Sequence, residues 1–486
     1  MKKTLLLVLG AFCALIAVLV VRTITFTSRQ IQIKPAEPFT FDRDAALSRL
    51  SQAIKFQTVS SLNLSQSTAV ELNRFQTFLA EAFPRVHQQL TKEIISDHSL
   101  LFTWTGADKG LKPILLMAHM DVVPVDATTE STWRHPPFSG QIADGYIWGR
   151  GTMDDKASVL GILEAVENLL AAGFQPQTTI LLAFGHDEEF GGHNGAAKIA
   201  AVLDARKIEP AFVLDEGLNI LNGIISGVTA PVALIGVAEK GYVSLKLSVQ
   251  AAGGHSSIPP ADTAINTLSR ALQNLAAAPF PSRIGGATGQ MLEFLGPEMA
   301  WSKKLPLANL WLFEPVVKRQ MAASPVTNAA IRTTMAPTIF TAGLQDNVLP
   351  TTATGVVNLR ILPGETIASV TEHVRKAIDD PRVTIAPLSG QTEPSALSDT
   401  NGASFNLLQK TVRQTMPQAV VAPALLVGGT DSRHYAQVSK NIYRFLPTSL
   451  GPDDAKRYHG IDERISLEDY DRVIRFYAQL IRNAQP

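Results

Sequence analysis

Two short, wholly apolar runs that each end in an acidic and histidine-bearing cluster constrain this chain most. Ile114-Leu115-Leu116-Met117-Ala118 runs into His119-Met120-Asp121, and Ile180-Leu181-Leu182-Ala183-Phe184 runs towards His186-Asp187-Glu188-Glu189. A run of this length without polar alternation reads as a strand buried on both faces, the condition of a parallel sheet covered by helices. In such sheets ligands collect beyond the carboxyl ends of the strands, where both clusters lie. Carboxylates and imidazoles gathered there suit a divalent cation, and without one they would repel each other. Asp154-Asp155 and His459-Gly460-Ile461-Asp462-Glu463 offer further pieces of the same chemistry.

The surrounding pattern supports that reading. Apolar spacing predicts helices over 45–54 and 70–82, strands over 114–118, 179–184 and 211–214, and helices over 154–171 and 195–206. Gly173 follows the helix over 154–171, as a C-terminal glycine should. After Gly236 the character changes. Half-buried alternation predicts strands over 243–249, 354–361 and 383–387, with helices over 262–276 and 365–378. A helix over 404–414, a strand over 420–426 and a helix over 467–483 return to the first pattern. The expected fold is α/β: a mostly parallel sheet covered by helices on both faces, carrying an inserted α+β lid or dimerisation domain. The expected division is a catalytic domain of 45–235 with 394–486, and an insert of 236–393. The segment 277–325, rich in Pro, Gly, Trp and Phe, has no assignable pattern.

A chain of 486 residues fits two domains. Lys+Arg and Asp+Glu both number 43, so no basic excess exists to hold nucleic acid. Cys13 is the single cysteine, which excludes an internal disulfide and a cysteine metal site. Lys2-Lys3 precede an apolar run over 4–21, about 18 residues and the lower end of a membrane span. No small-x-small cleavage site follows it. The expectation is an uncleaved single-pass anchor over 1–22 with the catalytic body on the extracytoplasmic side. Cleavage of the leader would make the protein secreted. Residues 23–44, with Pro35 and Pro38, read as a tether.

Seven motifs in order resemble the dinuclear-zinc aminoacylase and carboxypeptidase family, and within it the carboxypeptidase S and N-acyl-amino-acid amidohydrolase branch. They are Met117-Ala118-His119-Met120-Asp121-Val122-Val123-Pro124, Gly149-Arg150-Gly151-Thr152-Met153-Asp154-Asp155-Lys156, Gly185-His186-Asp187-Glu188-Glu189-Phe190-Gly191-Gly192, Leu214-Asp215-Glu216-Gly217, Gly253-Gly254-His255-Ser256-Ser257, Gly428-Gly429-Thr430-Asp431-Ser432 and His459-Gly460. The resemblance implies two Zn2+ per chain, with Co2+ or Mn2+ as substitutes. It implies that His119 binds one ion, that the Asp154 carboxylate, held by a cis bond to Asp155, bridges both, and that Glu189 and His459 bind the other. Asp215 or Glu216 completes the first site. Asp121 orients His119, and Glu188 is the general base.

A metal-bridged water would be the nucleophile, since shared cations lower its pKa towards neutrality. Glu188 and Glu189 point different ways if their backbone is extended, so one can bind metal while the other moves the proton. Arg360 can hold a substrate carboxylate bidentately. The amides and hydroxyl of the turn at Gly429 and Thr430 can hold the same group. His255 and Asn347 resemble residues that stabilise the oxyanion, through lid closure or a homodimer. The expected reaction is cleavage of the amide bond before a C-terminal amino acid, in a small peptide or an N-acyl amino acid. The rivals are a non-catalytic binding protein on the same fold and an aminopeptidase with a similar metal pair. The less specific readings are that His135, His193 and His434 pack or face solvent and that Asp462-Glu463 starts a helix or touches a lid. Phe294, Trp301, Trp311 and Phe313 are expected to be core residues.

Overall fold

The computed structural model describes residues 1–62 and 64–485. Its larger sheet has ten strands, and the central ones are parallel neighbours: Ile180–Gly185, Ile114–His119, Phe212–Asp215 and Ile442–Arg444. Thr91–Ile95 and Ser99–Trp104 add an antiparallel edge. On the other side Val232–Glu239 runs antiparallel to Ile442–Arg444 and parallel to Val420–Leu426.

The solid apolar runs face helices on both sides. Ile114, Leu116 and Ala118 join one buried cluster with the helices Arg43–Ala53, Lys156–Ala171 and Leu467–Asn483. Leu115 and Met117, one residue out of phase, join a second cluster with Ile199, Ala200 and Leu203 of the helix Ala196–Ala205. Period-two geometry sends alternate side chains to opposite faces, so a run without polar residues is what two covered faces require. Burying each such leucine contributes about 1.5–3 kcal/mol.

The second unit is a four-stranded antiparallel sheet, ordered Thr334–Ala342, Thr352–Ile361, Gly241–Gln250 and Val383–Pro387. Val243, Leu245 and Leu247 pack under Leu268 and Val370 of the helices Ala264–Ala277 and Ile367–Ile378. Lys240 alone separates the last strand residue of one sheet from the first of the other. Gly241 has no room for a side chain there, because a Cβ would lie 2.6 Å from the nitrogen of Pro394.

Several expectations are corrected. The helix expected over 154–171 begins at Lys156, with Asp154 and Asp155 standing before it across a cis peptide bond. The strand Thr334–Ala342 was not legible, being an exposed edge that contains Pro337 and lacks alternation. The unassigned segment forms the helices Gly286–Leu295, Trp301–Ala308, Leu310–Ala322 and Pro325–Ile331; Pro306 and Pro315 lie inside two of them and disguise the pattern. Ala287, Phe294 and Leu295 pack into the core of the larger sheet, not that of the smaller one. Trp301 and Trp311 are not core residues: they are 50% and 57% exposed.

The stretch read as a tether is a fixed strap. Gln30 exchanges two hydrogen bonds with the backbone of Val421, and the N–H of Ala36 donates to the Gln414 carbonyl at 3.0 Å. Phe39 is buried, and its carbonyl accepts from Arg475.

Candidate active site

The parallel register aligns the strand ends. His119 stands opposite Gly185, and Leu116 opposite Leu214, so Glu188 and Glu216 follow their strands to the same edge as His119. Donor atoms of His119, Asp154 and Glu216 lie within 4.8 Å of one another, and those of Asp154, Glu189 and His459 do likewise. Asp154 belongs to both groups. Its Oδ1 is 2.9 Å from His119 Nε2, and its Oδ2 is 3.1 Å from His459 Nε2. Glu189 Oε2 lies 3.2 Å from the same His459 nitrogen, while its buried Oε1 has no hydrogen-bond partner.

Two carboxylates shape this edge from behind. Asp121 accepts the backbone N–H groups of both Glu188 and Glu189 at 3.1 Å, and His119 Nδ1 faces the Asp121 carbonyl at 3.0 Å. Glu188 and Glu189 therefore sit in a single tight 3-10 turn, Glu188–Phe190, and not on the extended backbone anticipated. Glu463 does the same for the Asp154 loop. Its carboxylate accepts the N–H groups of Gly151 and Met153 at 2.9 and 2.8 Å and pairs with Arg150, whose Nη2 donates to the Gly460 carbonyl. This fully buried residue is neither a helix start nor a lid contact; it ties the loop of Asp154 to the loop of His459.

The electrostatics are those of too many carboxylates for the cations present. Burial, followed by the charges of Asp154, Asp155, Asp215 and Glu188, pushes Glu216 well above the usual carboxylate range. Burial also raises Glu188, with Asp431, Glu189 and Asp154 adding to it. Against its own burial, hydrogen bonds from His119 and His459 hold Asp154 low. Hydrogen bonds to Asp154 and Glu189 raise His459 to about 10. An orphaned Glu189 oxygen and a carboxylate with an imidazole on each oxygen fit a pair of divalent cations with oxygen and nitrogen ligands.

Asp215 does not join either group. It accepts the Ser432 N–H at 2.9 Å, and Ser432 belongs to a buried network in which Arg444 Nε donates to Glu239 at 3.0 Å. Thr430 is spent in that network too, because its N–H and O–H both donate to Glu239, at 3.0 and 2.7 Å. Both of its donors thus point at Glu239, whereas Gly429 beside it is exposed. Gly192 (φ +66°) must be glycine, since a Cβ would meet Asp431 Oδ1 at 1.8 Å.

Arg360 packs over the Tyr242 ring at 4.9 Å, next to the single-residue link between the sheets. Burial lowers its guanidinium pKa, and repulsion by Arg433 adds to this. Among the described residues neither Arg360 nor Arg433 forms a salt bridge. Arg433 was missed in the sequence, although it stands one residue beyond the Gly428–Ser432 motif. Lys240 was also missed, and Arg150 and Glu463, though present in the quoted motifs, were not read as partners; only long-range contacts give these three residues meaning. His255 pairs with Val348 on a two-stranded ribbon, beside which the Ser256 N–H donates to the Asn347 carbonyl, and His255 is exposed. His186 Nδ1 is held by Ser99 Oγ at 2.6 Å, and His434 Nε2 donates to the Gly191 carbonyl at 2.8 Å.

Residues 115–483 match the family described as Peptidase family M20/M25/M40. The chain is 44% identical over 481 residues to a "Probable carboxypeptidase S-like 2" of Dictyostelium discoideum, covering 97% of this chain and 92% of that one. It is 41% identical over 478 residues to the "N-fatty-acyl-amino acid synthase/hydrolase PM20D1" of Xenopus tropicalis, covering 97% and 93%. Its backbone resembles that of an M20 family metallo-carboxypeptidase, Sso-CP2 from Sulfolobus solfataricus, with a TM-score of 0.66 at 16% identity over 90% of this chain and 98% of that one. A match spanning most of the chain, on a strand-end cluster of two metal-donor groups, identifies it as a member of peptidase family M20/M25/M40.

Proposed function

We propose that this enzyme uses two zinc ions to hydrolyse the amide bond before a C-terminal amino acid bearing a free carboxylate. The substrate is an N-acyl amino acid or a small peptide. The observation that carries the reading is Asp154, which turns one oxygen to His119 and the other to His459. In this reading His119, Asp154 and Glu216 hold one ion, and Asp154, Glu189 and His459 hold the other. The ions, when bound, supply Lewis acidity that acidifies water and polarises an amide carbonyl.

The chain's own groups do the rest. Asp121 fixes the turn that aims Glu188. Glu188, raised by burial, takes a proton from the attacking water on its carboxylate oxygen and gives it to the departing amine nitrogen. Arg360 and Arg433, which form no salt bridge among the described residues, receive the substrate carboxylate, with Gly429 beside them. His255 and Asn347 face the developing oxyanion once the smaller unit closes, or when a second copy of the chain presents them. The similarity to an N-fatty-acyl-amino acid hydrolase and to a carboxypeptidase S-like protein supports both substrate classes.

We also read Lys2–Thr25 as an uncleaved anchor, with the catalytic body on the extracytoplasmic side. Its length and apolarity satisfy a membrane span, and its last turn is bonded to the body through Thr23 and Arg22. The test of the function is to assay metal-replete protein on dipeptides and on short- and long-chain N-acyl amino acids, with metal analysis alongside. Turnover of free acids at about two zincs per chain is expected. Absence of turnover on all of them, with metal bound, would leave the binding-protein reading.

A further inference from the structure

One apolar face of this molecule is not used by its own core. In the helix Leu310–Ala322 the exposed residues include Trp311, Leu312, Pro315 and Val316, spaced as neighbours on one helical side, while Val317 is the buried one. Trp311 is 57% and Val316 61% exposed, and Trp301 on the preceding helix is 50% exposed. An apolar stripe normally faces the core of a soluble protein; this one faces away. A contiguous outward patch of this kind marks an interaction surface.

Its position identifies what covers it. Asn309, between the two helices, donates from Nδ2 to the Leu19 carbonyl and to Thr23 Oγ1, each at 3.2 Å. Arg22 Nε donates to the Ala308 carbonyl at 3.3 Å. The end of the long apolar helix Lys2–Thr25 is thus fixed to this same helix pair. A bilayer holding that helix meets residues 301–322 at the level where the helix leaves it. Tryptophan is enriched at that depth. Arg319 extends the Trp311–Val316 side by one turn, and Lys304 lies on the first helix; both can reach lipid phosphates while their stems stay on apolar surface.

We propose that the helices Trp301–Ala308 and Leu310–Ala322 form a membrane-interface platform, with Trp301, Trp311, Leu312 and Val316 seated among the lipids beside the anchor. The platform fixes the attitude of the catalytic body on the bilayer, which a single anchor helix cannot do. The proposal rests on the anchor reading above, and the experiment separates the two.

The chain has five tryptophans, of which Trp104, Trp133 and Trp148 are buried. The full chain is reconstituted into vesicles of phosphatidylcholine and phosphatidylglycerol, with plain or brominated acyl chains. The vesicles are then floated and tryptophan emission is read. The expected result is flotation and a clear loss of emission with bromine. In the Trp301→Phe, Trp311→Phe double variant the protein still floats and the bromine effect disappears. Floated wild-type protein with equal emission in both vesicles would overturn the platform, including the case where a second copy covers the face and the floated protein self-associates. Failure to float would overturn the anchor reading and the platform with it.

Discussion

Asp215 and Glu216 are adjacent in the chain and serve different structures: Glu216 turns into the group with His119 and Asp154, while Asp215 accepts the Ser432 N–H at 2.9 Å. Glu216→Ala should therefore lose bound metal with little change in the fold beyond that loss. Asp215→Ala should keep the donor set and destabilise the protein by about 1–3 kcal/mol, because it strands a buried donor. Metal content and denaturant midpoints of the two variants decide between them. Equal metal loss in both would refute the division of roles.

Glu188→Gln should lower turnover by about 100- to 10,000-fold while metal stays bound, because an amide cannot take the proton. Single-turnover kinetics with parallel metal analysis is the check. Near-normal rates would remove Glu188 from the proton path.

Arg360→Ala and Arg433→Ala should each raise KM for free-acid substrates much more than for the matching amides. Hydrogen bonds to a charged group are worth about 1.5–3 kcal/mol, so roughly ten- to more than a hundred-fold is at stake. The informative quantity is the acid-to-amide ratio of kcat/KM. An unchanged ratio in both variants would make the two arginines structural.

Lys240 links stability to pH at the junction of the two sheets. It is buried, donating to the carbonyls of Ala329 and Arg332, and burial lowers it from 10.5 to about 8. Between those values the unfolded chain binds a proton that the folded chain does not, so stability should rise with pH there. The cost of keeping Lys240 charged is present in full below pH 8 and is relieved as pH climbs towards 10.5. Comparing wild type with Lys240→Met by urea unfolding isolates the effect, roughly 3 kcal/mol at most. A stability difference that does not change across this window would refute it.

How much was legible follows from the range of the forces involved. The strands 114–119 and 180–185, the helices that cover them and the clusters at their ends are written locally, because period-two and period-3.6 burial act over a few residues. Those runs alone determined a covered parallel sheet with carboxylates and imidazoles at its edge. The seven motifs then pointed to the family, which the match over residues 115–483 bears out.

The sequence could not determine orientation and pairing across distance. Glu463 reads as one more acidic residue until the fold brings it 313 residues back to Arg150. Residues 23–44 read as a tether because the hydrogen bonds of Arg29, Gln30 and Ala36 go to Gln409, Val421 and Gln414, far along the chain. Trp301 and Trp311 read as core because hydropathy records how apolar a side chain is and not which way it faces. Only the tertiary structure sets that direction, since a helix can bury either side depending on what packs against it. Here Asn309 and Ala308 take the N-terminal helix Lys2–Thr25, and the tryptophans are left outside.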